Sequence, residues 1–320
     1  MRTELNLVRR VINGPTMGTR FSAVFFAPEH LDLVALRANL QQAVDTVDRQ
    51  MSTWKPDSDL MRLNRVPVGD WIDIPEPLGT VLAAALEIGL ASHDAFDIGV
   101  GDLVSAWGFG AAASAPDAAV IARASAVRHS PAHIALELDK GRKRGRKRVP
   151  ITLDLSGIAK GYGVDELARV LEMHGVSSYL ASIDGELRAG GPKPDGSAWQ
   201  VAVESPQAGH RQAAGTIGIV NASLATSGDY RHFVERDGVR YAHTIDPSHQ
   251  APLKDGAASV TVLAPTCMHA DAWATALMVL GPERGGALAS ALGLEVLFAT
   301  REDDASYPPP SSPSQPLLSP

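Results

Sequence analysis

The sequence predicts an α+β protein: a mixed, largely antiparallel sheet with helices packed against it. Three observations carry that prediction. Strand-like runs arrive in groups with helices between the groups, not in the strict alternation that builds a doubly wound sheet. Several stretches repeat their apolar residues at helical spacing. The composition, 45% hydrophobic and 20% charged over 320 residues, is that of a chain able to bury a core. No linker or internal repeat divides the first 300 residues. Residues 1–301 therefore read as a single domain, and 302–320 as a Pro/Ser-rich tail.

The elements follow in order. Phe21–Ala27 is a short apolar run after a glycine-containing turn and reads as a strand. Between Leu31 and Met51 the residues Leu33, Leu36, Leu40, Val44, Val47 and Met51 recur at helical spacing. Asp57-Ser-Asp caps a short helix through Asn64, and Pro77 opens a helix to Ser92. Asp97–Gly110 reads as a glycine-punctuated loop, and Pro116–Ala126 as a helix. His133–Asp139 and Val149–Asp154 are strand-like, joined by a long charged loop. Leu155–Gly161 is a turn that opens a helix to about His174. Ser178–Ile183, Trp199–Glu204, Gly215–Val220 and Ser223–Thr226 are strands. Tyr230–Glu235 and Val239–Ile245 form a hairpin about Asp237-Gly238. Ser259–Ala264 is a strand, His269–Leu280 and Arg284–Leu292 are helices, and Leu294–Ala299 closes as a strand.

Composition excludes several function classes. One cysteine, Cys267, allows neither an internal disulfide nor a Cys-rich metal site. Aromatics at 5% and a net charge of −7 argue against nucleic acid as a partner. One segment departs from that average: Lys140–Arg148 carries seven Lys/Arg and no acid, and without those charges the net −7 becomes −14. It reads as a solvated hairpin tip. No stretch reaches the roughly 20 apolar residues of a membrane span. Charged residues interrupt every apolar run near Met1, so no signal peptide is seen and the sequence predicts a cytoplasmic protein. Arg301–Pro320 holds six prolines and little to bury, and Asp303 onward reads as a disordered tail.

Five motifs could carry chemistry. Gly14–Thr19 precedes a strand and by itself is a turn. Asp154-Leu-Ser-Gly-Ile-Ala-Lys-Gly161 lies between a strand and a helix, where helix-start N–H groups and Lys160 suit phosphate oxygens. Its spacing fits neither a Walker A loop nor a dinucleotide fingerprint, and it serves equally well as a tight turn with a surface lysine. Thr226-Ser-Gly-Asp-Tyr230 offers hydroxyls at a strand end, or an ST-turn. His243-Thr-Ile-Asp-Pro247 reads as a turn after a strand. In Cys267–Thr275, Asp271 and Thr275 stand at i and i+4 and share one helical face. A carboxylate and a hydroxyl there can supply oxygens to Mg2+, which takes few protein ligands and completes its shell with phosphates. A capped helix start explains the same residues.

The order of the motifs is more specific than any one of them. Met17–Thr19, Ser52–Asn64, Ala95–Gly110, Asp154–Asp165, Thr226–Arg231, His243–Pro247 and Ser259–Gly281 together resemble the FAD:protein FMN transferase family, also called ApbE. The resemblance spans nearly the whole chain except the tail. It implies an ApbE-like fold, FAD as substrate, Mg2+ as cofactor, and transfer of FMN through a phosphoester to a threonine of an acceptor flavoprotein, such as a subunit of a membrane redox complex, with release of AMP. It implies that the Gly157 carbonyl, Asp271 and Thr275 hold the metal. It implies that Met17, Trp54, Ala95, Phe96, Asp97, Asp154, Lys160 and Ile245 line the flavin nucleotide, with Thr226, Ser227 and His243 close by. Asp271, Lys160, Asp154 and His243 are the catalytic candidates. Asp154, Asp246 and His243 compete for the role of base. A Mg2+-dependent FAD pyrophosphatase and a non-catalytic FAD-binding maturation factor are the competing readings, and a homodimer fits any of the three.

Two features depart from the family pattern. Its members are usually exported, often as lipoproteins. Relatives commonly carry a Gly-Gly pair where this sequence has Ile183-Asp-Gly-Glu-Leu187, so Glu186 is an added acid.

Overall fold

The computed structural model describes residues 7–111, 116–126, 130–204, 213–228, 233–236, 239–254 and 257–299. The chain opens with a hairpin that the sequence reading caught only in its second half: β1 (Leu7–Thr16) and β2 (Thr19–Pro28). Met17 and Gly18 form its two-residue turn with φ of 45° and 72°, the pair of positive values that matches the twist of tight hairpins. The edge strand was hard to see because Arg9, Arg10 and Asn13 interrupt its apolar residues. Helix α1 (Leu33–Met51) starts where Asp32 accepts from the N–H groups of Val34 and Ala35, and it buries the expected Leu36, Leu40, Val44, Val47 and Met51. Next come α2 (Asp59–Arg65), β3 (Ile72–Asp73) and α3 (Glu76–Ala91), the last with proline in its first turn as expected.

The stretch read as a loop holds a short helix, α4 (Gly101–Ala106), whose Leu103 and Val104 pack with Trp107 and Ile245. Helices α5 (Ala118–Ala126) and α6 (Ala132–Ala135) follow. The basic run is corrected most. It is not a long loop between strands: four of its nine residues form a strand, β5 (Arg144–Lys147), paired with β4 (Leu136–Asp139). Glu137 stands opposite Arg146 and Asp139 opposite Arg144, cross-strand pairs of the kind that stabilise a ladder. Both arginines also flank the Trp71 ring. Lys140 and Lys143 pair with Glu87 and Glu76. The charges are balanced by acids of the neighbouring strand β4 and of α3. Val149–Asp154, expected as a strand, contributes one bridge, Thr152 to Val100.

The second half supplies α7 (Ala159–Met173), β6 (Ser178–Ile183), β7 (Glu186–Gly190), β8 (Trp199–Glu204), β9 (Ala213–Ile219) and β10 (Ala222–Gly228). Then come β11 (Phe233–Arg236), β12 (Val239–Ala242), β13 (Ile245–Asp246), β14 (Ala251–Pro252) and β15 (Ser259–Ala264). Helix α8 (Cys267–Leu292) breaks at Gly281, with φ of 73° just before Pro282, which reproduces the two helices expected on either side. Strand β16 (Glu295–Ala299) ends the description. The expected β11–β12 hairpin is present; its Asp237-Gly238 turn, Tyr230 and the proline tail lie outside the described residues.

Seven strands form one antiparallel sheet in the order β1-β2-β6-β7-β10-β15-β16. Period-two alternation divides its side chains. Phe21, Ala23, Phe25, Ala181 and Ile183 face α1 and α7. Val260 and Val262 face α8. The β8–β9 ribbon brings Trp199 and Val201 to the other face, against Phe26, Leu180 and Leu187. This is the α+β, mainly antiparallel architecture the sequence predicts.

Candidate active site

Strand register brings the motifs to one end of the sheet. Phe21 lies opposite Ile183, so the Met17–Gly18 turn sits beside the β6–β7 turn at Asp184–Gly185. Leu224 lies opposite Leu187, so the far end of β10, with Ser227, reaches the same end. Helix α7 starts there too. A Cβ on its Gly163 would come within 2.9 Å of Ile183 and 3.2 Å of the Met17 Cε.

The two central helices lock together at this end. Gly161 of α7 donates its N–H to Asp271 Oδ2 of α8 at 2.9 Å. A Cβ on Gly161 would stand 2.3 Å from the Cys267 carbonyl oxygen and 2.8 Å from Asp271 Cβ. Gly161→Ala is therefore expected to force the helices apart and destabilise the protein by about 2–3 kcal/mol. Chemical unfolding would measure this, and an unchanged midpoint would contradict the contact.

Thr275 lies one turn beyond Asp271. Its hydroxyl is 3.2 Å from Ser227 Oγ, and a Cβ on Gly157 would come within 3.1 Å of it. The Phe96 ring closes the same spot, 3.2 Å from that position. Gly157, Ser227 and Thr275 thus meet at one corner, with Asp271 one turn away on the same face of α8. No group of three or more His, Cys, Asp or Glu among the described residues could hold a metal. A metal in this corner would rely on one carboxylate, hydroxyl and carbonyl oxygens and a ligand's own phosphates, which is the donor set that suits Mg2+.

Electrostatics fit a cation there. Lys160 Nζ lies 2.6 Å from Glu186 Oε1 and 3.8 Å from Asp184. Burial works against its charge, but Glu186, Asp271 and Asp184 outweigh burial and hold the ammonium above the usual lysine range. Burial pushes the Glu186 carboxyl up to about 8, with Lys160 opposing and Asp271 adding to the rise. Burial raises Asp271 too, against the attraction of Lys160. Glu186 Oε2 has no hydrogen-bond partner among the described residues. Two buried carboxylates share one ammonium, so the site is short of positive charge.

The other expected site residues fall into two groups. Met17, Ala95, Phe96 and Ile245 are buried or half-buried, whereas Trp54 is 61% exposed and presents a ring face. The His243 ring sits edge-on to Phe109. Several polar candidates are occupied by local structure. Asp97 accepts from the N–H groups of Gly99 and Ala132. Asp154 accepts from Ser156 N. Asp246 accepts from Ser248 and His249. Thr226 points away from Thr275 and bonds Thr261 across the sheet at 2.8 Å. Asp229 lies outside the described residues. At the start of α7, Ala159 N–H is spent on Leu155 O, and Gly161 N–H on Asp271. The anion cradle read from the sequence therefore has fewer donors than a bare helix start.

Sequence reasoning gave Glu186 no role and passed over Asp165. Glu186 sits in β7 opposite Ile183, on the α7 face. Asp165 lies one turn beyond Gly161 and accepts from the backbone of α8. A strand assignment for Glu186–Gly190 would have signalled the first, since alternation turns Glu186 inward. The second shows only once the two helices meet.

Fold and site together define an α+β enzyme with an oxygen-lined corner beside a buried acid–lysine cluster. A family model described as the ApbE family matches residues 17–298. The FAD:protein FMN transferase of Klebsiella pneumoniae (strain 342) is 38% identical over 298 residues, covering 92% of this chain and 85% of that protein. The protein of the same name from Vibrio cholerae is 37% identical over 309 residues, covering 96% and 92%. The crystal structure of Pseudomonas stutzeri flavinyl transferase ApbE, apo form, superposes with a TM-score of 0.82 at 36% identity and covers 92% of each chain. The chain belongs to the ApbE family, and its class is that of an enzyme.

Proposed function

We propose that this chain is a Mg2+-dependent FAD:protein FMN transferase: it breaks the pyrophosphate of FAD, joins FMN through a phosphoester to a threonine of an acceptor flavoprotein, and releases AMP. One observation carries the reading: Gly157, Ser227 and Thr275 meet beside two buried carboxylates, Glu186 and Asp271, that share one lysine. The Gly157 carbonyl, Asp271 and Thr275 would hold the metal. Bound there, Mg2+ would neutralise phosphate charge and polarise the bond being broken.

The chain's own groups supply the rest. Trp54 offers an exposed ring for stacking. Met17, Ala95, Phe96 and Ile245 give an apolar lining that excludes water. Lys160 is committed to Glu186, so it sets the local charge instead of moving to a phosphate. The threonine Oγ forms its bond to the FMN phosphorus as the bond from that phosphorus to the bridging oxygen breaks. The bridging oxygen leaves with AMP, and the threonine proton passes to a base drawn from Asp154, Asp246 and His243.

Incubation with FAD, Mg2+ and a candidate acceptor is expected to leave the denatured acceptor yellow and fluorescent, with equimolar AMP. AMP without labelled acceptor would establish a pyrophosphatase instead. Neither AMP nor label would overturn the reading. No helix among the described residues is long and apolar enough to cross a membrane.

A further inference from the structure

We propose that Asp165, anchored by Arg188, is a positioning residue that fixes the axial register of α8 and thereby sets Asp271 and Thr275 against Gly157. This rests on the metal reading of that corner and names residues that act on it from outside. Asp165 Oδ1 accepts from Cys267 N at 2.9 Å, and Oδ2 from Met268 N at 2.9 Å. Both N–H groups belong to the first turn of α8, where no intrahelical acceptor exists. Thr266, the N-cap, accepts from one helix-start N–H, that of His269 at 3.4 Å, while its hydroxyl also bonds the His269 ring at 2.6 Å. A side chain of α7 thus does most of the capping of α8. Arg188 of β7 donates to Asp165 Oδ1 at 2.6 Å and holds the carboxylate from the sheet side.

The exchange is reciprocal. One turn away, Asp271 of α8 accepts from the Gly161 N–H of α7. Asp165 and Gly161 are four residues apart on α7, and Cys267 and Asp271 four apart on α8. Each helix therefore grips the other's backbone with one carboxylate, a turn apart, over the close approach that Gly161 permits. Sliding or rotating α8 would have to break both grips. Asp271 spends Oδ2 on the Gly161 N–H, and Asp165 holds the helix independently of that bond. The two-point attachment leaves the second Asp271 oxygen, with Thr275, directed by the helix and not by loop motion.

The experiment compares the full-length protein with Asp165→Asn, Arg188→Met and Asp271→Ala. Mn2+ is the probe, titrated by electron paramagnetic resonance with ADP as the phosphate source, alongside Mg2+-dependence of AMP release from FAD and thermal melting. Asp165→Asn keeps the volume but turns one acceptor into a donor. It is expected to weaken Mn2+ binding about 10-fold, in the range seen for outer groups that orient ligands. The Mg2+ concentration for half-maximal AMP release should rise in step, and saturating Mg2+ should restore most of the turnover. Arg188→Met, which leaves Asp165 in place, is expected to show a smaller shift of the same kind, and it carries the test if Asp165→Asn does not fold. A lowered melting temperature with unchanged Mn2+ affinity and Mg2+ dependence in both variants would make Asp165 a simple cap and overturn the proposal. If Asp271→Ala also keeps its Mn2+ affinity, the metal corner itself is wrong and the positioning role falls with it.

Discussion

Asp271→Ala is expected to lower Mg2+-dependent AMP release from FAD by more than about 100-fold, since loss of a ligand should exceed the effect of losing an outer group. Among the described residues, Asp271 is the charged donor proposed to join Gly157, Ser227 and Thr275 around the metal. Neutral hydroxyl and carbonyl oxygens alone bind a hard divalent ion weakly. The substitution has a structural side, because it leaves the Gly161 N–H without its acceptor, at about 1–3 kcal/mol. It also relieves the burial of a carboxylate, so the net change in stability is expected to be smaller. Asp271→Asn separates the two effects: it keeps an acceptor for Gly161 and loses the charge. Wild-type melting with lost turnover in Asp271→Asn would place the effect at the metal. Full AMP release in either variant would remove Asp271 from the site.

Lys160→Met is expected to destabilise the protein by about 3 kcal/mol near pH 8, because removing one partner strands buried charge. Glu186 and Asp271 are 3% and 5% exposed, and Lys160 is the cation they share. The sign of the pH dependence follows from Glu186, whose carboxyl rises from an ordinary 4.5 to about 8. An acid raised on folding contributes its stability in full below about 4.5 and loses it as pH rises through about 8. The metal-free protein should lose this contribution over that window. Without Lys160 to oppose the rise, the loss deepens, so the gap between variant and wild type should be wider at pH 8 than at pH 5. Urea unfolding at both values measures it. An equal gap would mean that the carboxylates do not depend on Lys160. Added Mg2+ should stabilise the wild type more at pH 8 than at pH 5, since protonated oxygens bind it poorly.

The sequence made the helices legible and hid several strands, for physical reasons visible residue by residue. Leu36, Leu40, Val44 and Val47 announce α1 because a helix buries one stripe against the sheet. Strand β1 alternates too, but it lies at the sheet edge and carries Arg9, Arg10 and Asn13 among its apolar residues. Strand β5 is Arg144-Gly-Arg-Lys147, which no apolar pattern would mark. It forms because Glu137, Asp139 and Trp71 answer its charges from other strands and loops. The same contacts turn the anomalous basic run from a solvated hairpin tip into a hairpin whose charges are paired. In the site, the i, i+4 relation of Asp271 and Thr275 was readable from spacing. That Asp154 and Asp246 serve their own turns was half readable, since an Asp side chain commonly bonds the backbone two residues on, where each has a Ser.

The sequence by itself determined the fold class, the family and the helical face that carries Asp271 and Thr275, because periodicity and motif order are local properties. Only the tertiary structure decided what surrounds that face. Strand register placed Ser227 beside Thr275 and sent Thr226 to the other side of the sheet, a difference of one residue that alternation turns into opposite faces. The packing of α7 on α8 through Gly161 brought Asp165 to the backbone of Cys267 and Met268 across more than a hundred residues. Burial then raised the Glu186 carboxyl, and the neighbouring carboxylates outweighed burial to hold the Lys160 ammonium. Charge, desolvation and register depend on neighbours distant in the chain, and those neighbours are chosen only when the sheet closes against its helices.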